Sequence, residues 1–270
     1  MRPTLFFVSF LAVAACHAHD TQPIPIARDP APGAIAALPA TDPGPLVPGP
    51  DAAATAHTAT EEPARVERVV VEKDVPAALV RGHQADAPHI VFLPGVCSNA
   101  YAYLLSFPEA ARGHGGIVAI DGDRPCGAEG SGFRSFSWDP ARQDARLQAA
   151  YAAAGMGSAP PDGLTLVGYS AGAGIGELMV QRWPKRYARV VLIGAPADPS
   201  PARLSAARGV VTISCSRDVP GRMRDAARRI NASGVPATYL EMPGCTHGNI
   251  ADGERVFETA FDWLTDHAGG

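Results

Sequence analysis

The sequence predicts an α/β fold, a mainly parallel eight-stranded sheet with helices on both faces. From Val66 onward, short apolar runs alternate with helical segments, the order in which strand–helix units are written into a chain. At one junction the apolar run Leu164-Thr165-Leu166-Val167 meets Gly168-Tyr169-Ser170-Ala171-Gly172, which opens directly into a helical stretch reaching Val180. No internal repeat is evident, which sets aside solenoids and propellers.

Val66 to Glu72 alternates enough to read as a first strand, and Ala77 to Arg81 as a short second one. His89 to Leu93 is a buried strand ending at Pro94-Gly95, and a helix is expected from Asn99 to Arg112. Gly116 to Asp121 is the next strand, followed by a Gly/Ser-rich loop from Gly122 to Trp138. Asp139-Pro140 reads as an N-cap with proline at the first helical position, where the missing N–H has no helical partner to lose. That helix is expected to reach Ala154. Beyond the glycine-flanked junction, Arg189 to Gly194 reads as a strand, Pro201 to Arg208 as a short helix and Gly209 to Cys215 as a strand. Arg222 to Ser233 is a helix, Ala237 to Met242 the last strand and Ile250 to His267 the closing helix. About fifteen residues separate the strands at Arg189 and Gly209, too few for an inserted lid domain.

The 270 residues, 46% hydrophobic with a formal charge of −4, suit one globular domain plus tails and give no sign of a nucleic-acid partner. Arg2 followed by the apolar run Leu5 to Ala15 reads as an export signal, too short to span a bilayer. Prolines then crowd between Pro23 and Pro63 among alanines, with few aromatics. Such a segment buries too little apolar area to offset its ordering entropy, so 16–65 reads as a disordered tether and 66–270 as the domain.

Val13-Ala14-Ala15-Cys16 resembles the lipobox of bacterial lipoproteins. The resemblance implies that Cys16 is lipidated and becomes the mature N-terminus, anchoring an exported protein to a membrane. His17 in place of an aspartate leans, by the same resemblance, toward an outer-membrane or cell-surface address. Ordinary secretion with cleavage after Ala18 is the alternative. Cys97, Cys126, Cys215 and Cys245 remain, and an even number in an exported chain suggests disulfides, with three pairings open. Topology favours Cys97–Cys126 and Cys215–Cys245, because each pair then lies at the ends of neighbouring strands; buried free thiols are the alternative. No CxxC spacing argues for zinc or a redox motif.

The chemistry centres on Gly168-Tyr169-Ser170-Ala171-Gly172. A G-x-S-x-G turn between strand and helix is sharp enough to strain the serine backbone and lift its hydroxyl clear of the sheet edge. Glycines two positions to either side leave room for the crossing backbone. A serine hydroxyl is a weak nucleophile at neutral pH and needs an adjacent base, itself held in one tautomer by a third group. Asp218 and His247 follow Ser170 in the order this scaffold uses, each in a loop just past a strand. Asp198, after the preceding strand, is the rival acid, while Asp252 and Asp262 belong with the closing helix. His83, His89 and His114 read as surface or capping residues, His17 and His19 fall in the tether, and Glu177 reads as a solvated charge.

Together these residues resemble the α/β-hydrolase superfamily over about Val66 to His267. The resemblance implies a nucleophile at Ser170, an acid at Asp218, a base at His247 and no metal or organic cofactor. It places the oxyanion loop at Pro94-Gly95-Val96-Cys97, with proline where the family usually has histidine, so the backbone N–H groups of Val96 and Ala171 are the expected oxyanion donors. Carboxylic esters of small molecules are the substrate class it implies. Amide, thioester and dienelactone cleavage use the same three residues, and a surface lipoprotein that only binds a ligand or partner is the reading from another class. Tyr101, Tyr103, Phe133, Phe136 and Trp138 are expected either to line an acyl pocket or to join the core.

Overall fold

The computed structural model describes residues 62–84, 86–127 and 132–268. The expected signal segment 1–15, Cys16 and the expected tether as far as residue 61 lie outside the described residues. Among the described residues, strands β1 (Glu67–Val69), β2 (Ala77–Arg81), β3 (Ile90–Leu93), β4 (Gly116–Ala119), β5 (Arg124–Pro125), β6 (Arg134–Ser135), β7 (Leu164–Tyr169), β8 (Tyr187–Ile193), β9 (Gly209–Cys215) and β10 (Ala237–Met242) alternate with seven helices. The helices are α1 (Ala100–Leu104), α2 (Pro108–Gly113), α3 (Pro140–Ala153), α4 (Ala171–Arg182), α5 (Pro201–Leu204), α6 (Pro220–Ala232) and α7 (Gly253–His267).

Eight strands form one sheet in the order β1-β2-β4-β3-β7-β8-β9-β10. β2 pairs antiparallel with both β1 and β4, and every pairing from β4 to β10 is parallel. The side-chain period of two sends alternate residues to opposite faces. Val91 and Leu93 of β3 pack with Leu147 of α3, Ile175 and Met179 of α4, and Met223 and Ile230 of α6. Ile90 and Phe92 of the same strand pack with Leu104 of α1, Ala110 of α2, and Phe257 and Phe261 of α7. Helices therefore cover both faces, as expected. Burying one such aliphatic or aromatic side chain contributes about 1.5–3 kcal/mol, so the two-sided core supplies most of what fixes the strand order.

Most differences from the sequence reading have local causes. The helix expected from Asn99 to Arg112 is two helices, because Pro108 lacks an N–H to continue the ladder and forces Phe107 out of helical conformation (φ −155°, ψ 43°). Asn99 caps the first, its side chain accepting from the Ala102 N–H at 3.1 Å. The loop after β4 contains the short ribbon β5–β6, whose Arg134 pairs with Ser98. The closing helix starts at Gly253, not Ile250, because Asp252 sits at φ +52°. The expected N-cap at Asp139 is present, accepting from the N–H groups of Ala141 and Arg142 at 3.0 and 3.2 Å. The span between β8 and β9 holds α5 and no inserted domain. Glu177, expected to be solvated, is buried; it accepts from the Ser200 N–H at 3.1 Å and faces Arg203 at 3.8 Å.

Candidate active site

Ser170 lies between β7 and α4 at φ +51°, ψ −116°, a conformation unfavourable for any residue with a Cβ. Its neighbours explain how the turn is held. A Cβ on Gly168 would lie 2.5 Å from the Gly172 carbonyl oxygen and 2.6 Å from Ala173 Cα, and one on Gly172 would overlap the Leu93 carbonyl. Both positions therefore exclude side chains. The Ser170 N–H is tied to the Ile193 carbonyl at 2.8 Å, so the strained residue is anchored to β8.

Two distant loops converge on this turn. His247, past β10, places Nε2 2.9 Å from Ser170 Oγ, and its Nδ1 lies 2.7 Å from Asp218 Oδ2. A carboxylate can only accept, so Nδ1 carries the proton and Nε2 is left free to accept the Ser170 hydroxyl proton. Asp218 is largely enclosed, with a side-chain exposure of 10% against 45% for His247. The imidazole is thus partly open to solvent while its carboxylate partner is shielded. The rival acid is elsewhere: Asp198 pairs with Arg222 at 3.6 Å and Arg229 at 3.3 Å.

The loop after β3 passes directly over the serine, since a Cβ on Gly95 would lie 3.3 Å from Ser170 Cβ. The N–H groups of Val96 and Ala171 have no acceptor among the described residues. This loop is braced from several sides. Cys97 is bonded to Cys126, Ser98 exchanges two backbone hydrogen bonds with Arg134 at 3.3 Å, and Ser98 Oγ donates to the Gly95 carbonyl at 2.6 Å. Asp121 closes the brace by accepting the Ala100 N–H at 2.5 Å. Its burial raises its pKa, against the opposing pull of that N–H and of Arg146. The second disulfide, Cys215–Cys245, joins the end of β9, three residues before Asp218, to the loop two residues before His247.

Beside these groups lies a cleft of about 430 Å³, walled by Val96, Ala102, Tyr103, Phe133 and Ile250 and by the polar Asn99, Ser106 and Asn249. The five aromatic residues divide. Tyr103 and Phe133 line the cleft, and Phe136 joins the core. Tyr101 lies under the Arg68 guanidinium at 4.2 Å, and Trp138 is 60% exposed above α4, where a Cβ on Gly174 would touch its ring. His114 faces Glu258 and Asp262 at 3.6 Å each, away from Ser170.

The sequence reading does not identify Gly194, Tyr169 or Asp121 as part of this arrangement. Gly194 follows β8 at φ +50° and backs onto the Asp218–His247 pair. Tyr169, inside the pentapeptide itself, reaches across to the loop carrying His247. A tyrosine in a run of small residues was the available signal for it; Gly194 carried none beyond its place at a strand end.

No protein-family model matches the sequence, and no curated protein is detectably similar to it. Solved structures do share its fold. The esterase domain of a Rhodothermus marinus protein is 15% identical, covers 77% of this chain and 100% of its own, and superposes with a TM-score of 0.51. Esterase PE8 is 20% identical over 70% of this chain and 97% of its own, at a TM-score of 0.53. Carboxyl esterase 2 from the mycorrhizal fungus Tuber melanosporum is 15% identical over 78% and 90%, at 0.54. With the sheet order above, these likenesses give the chain the α/β-hydrolase fold.

Proposed function

We propose that the protein is a serine hydrolase that cleaves carboxylic esters through an acyl-enzyme. The observation that carries this reading is the unbroken line Ser170 Oγ–His247 Nε2–His247 Nδ1–Asp218 Oδ2, with separations of 2.9 and 2.7 Å. That the neighbouring folds include proteins described as esterases supports the choice of ester.

In this mechanism His247 Nε2 takes the Ser170 proton as Oγ attacks the carbonyl carbon. The charge that develops on the carbonyl oxygen is held by the N–H groups of Val96 and Ala171, which need no reorganisation because the braced loop and the start of α4 already fix them. Collapse of the tetrahedral species breaks the ester C–O bond, and the leaving alcohol receives the proton from His247. Water then enters, gives a proton to His247, attacks the acyl carbon and releases the acid, restoring the Ser170 hydroxyl. Asp218 steadies the imidazolium throughout and keeps its own charge. The three side chains and two amides suffice for this sequence of steps.

A fluorophosphonate probe should label Ser170 and fail on S170A. A folded protein that stays unlabelled would favour a binding role. A panel of p-nitrophenyl esters beside p-nitroanilides then fixes the bond, and a preference for anilides would replace the esterase reading with an amidase.

We further propose export through the segment 1–15, lipidation at Cys16 and membrane anchoring through the tether 16–65. Radiolabelled palmitate should enter the wild-type chain and not C16S. A flexible segment of this length spans about 35–40 Å, far enough to hold the domain clear of a lipid surface.

A further inference from the structure

The loop carrying His247 is held from within by one turn, in which the Thr246 carbonyl accepts the Asn249 N–H at 3.2 Å. Gly244 and Gly248 flank it at φ +72° and +91°, and glycine has the widest choice of backbone conformations. The rest of its geometry comes from outside. On one side, the Cys215–Cys245 bond fixes the chain two residues before His247. On the other side, two tyrosines hold Gly248.

Tyr169 Oη accepts the Gly248 N–H at 2.6 Å and lies 3.4 Å from the Asn249 carbonyl, to which it donates. Tyr103 Oη donates to the Gly248 carbonyl at 3.1 Å. The two rings stack with centroids 5.1 Å apart at 27°, and the Tyr169 ring lies 5.5 Å from the imidazole. Tyr169 is also the residue before Ser170. The strand that presents the nucleophile therefore grips the loop that presents the base.

We propose that Tyr169 is a positioning residue for His247: its hydroxyl fixes Gly248, and through it the distance from Nε2 to Ser170 Oγ, with Tyr103 as the second half of the clamp. This rests on the reading of Ser170, His247 and Asp218 as the reacting groups. Desolvation pushes the Tyr169 pKa up to about 12, so the hydroxyl keeps its proton, and the clamp its form, across the neutral range. Reacting groups displaced by about 1 Å lose on the order of 10²-fold in rate, so a slack loop should show itself in turnover before it shows in binding. Tyr103 lines the cleft and Tyr169 does not, which separates their expected effects on KM.

The test is Y169F, which keeps the stacked ring and removes the hydroxyl. For p-nitrophenyl acetate, kcat should fall about 10-fold or more while KM stays within about 2-fold. The rate of fluorophosphonate labelling should fall in parallel. Y151F is the control for stability alone, because the Tyr151 hydroxyl is buried against the Pro88 carbonyl at 2.7 Å in the core beneath α3. It should lower Tm and leave kcat in place. A Y169F enzyme at wild-type kcat, or one losing no more than Y151F at matched Tm, overturns the proposal. Should Y169F not fold, Y103F carries the same test: a fall in kcat together with a moved KM is expected, and an unchanged kcat overturns the clamp. A wild-type protein that the probe never labels defeats the proposed function itself. A labelled wild type with unaltered labelling of Y169F defeats only the clamp.

Discussion

Gly194 lies directly behind the Asp218–His247 pair, where a Cβ would sit 2.9 Å from Asp218 Oδ2 and 3.2 Å from His247 Nδ1. Its backbone is also at φ +50°. A methyl group here must push apart the two partners whose separation orients the imidazole. G194A should therefore lose about 10–100-fold in kcat/KM. Steady-state kinetics beside a thermal melt check this; a variant that melts early but turns over normally would mean that the pair tolerates the displacement.

Asp218 and Asp198 give opposite expectations. An amide at position 218 no longer fixes Nδ1–H as the donor, so D218N should lose about 10³–10⁴-fold in kcat, a fall of the size seen when the triad carboxylate of a serine protease is replaced. Asp198, 67% exposed and paired with Arg222 and Arg229, should accept substitution to Asn with kcat within about 2-fold. Kinetics of the two variants that came out the other way round would reverse the assignment of the acid.

The two disulfides close chain segments of nearly equal length, separations 29 and 30, so each should contribute about 3–4 kcal/mol by restricting the unfolded chain. Urea titrations of C97S/C126S and C215S/C245S should show similar losses. Turnover should not follow stability alone, because the second bond also joins the loops of Asp218 and His247. A C215S/C245S enzyme with full kcat at elevated temperature, while still folded, would leave that bond a purely stabilising role.

Glu177 predicts a pH dependence. Burial raises its pKa above the ordinary 4.5, more than the Ser200 N–H and Arg203 lower it. A carboxyl that binds its proton more tightly when folded favours the native state below its unfolded pKa, and this contribution is lost as pH rises through the folded value. Gln at 177 still accepts from Ser200 and carries no charge to desolvate. E177Q should accordingly melt above wild type near about pH 8, with the gap closing by about pH 4. A lower Tm than wild type at the alkaline end would mean that the Arg203 pairing outweighs the burial.

How far the site was legible in the sequence depended on how local each signal was. The bend at Ser170 is specified within five residues, because Gly168 and Gly172 are required by backbone atoms only a few positions away. The N-cap at Asp139 is equally local. Pro108 carried a helix break in plain view, through its missing N–H. Glu177 misled for the opposite reason: what buries it is the segment after β8, more than twenty residues on.

By itself, then, the sequence determined the alternation of strands and helices, the strained turn at Ser170 and the order in which Ser170, Asp218 and His247 follow one another. Only the tertiary structure decided that Asp218 and not Asp198 meets His247, that Gly194 must stay bare behind them, and that Tyr169 and Tyr103 hold Gly248. Dihedral preferences and steric clashes act over a few residues and are written locally. The contacts Ser170–His247 and Asp218–His247 join positions 77 and 29 residues apart. Such distances close only when the packing of both sheet faces has fixed where each loop emerges.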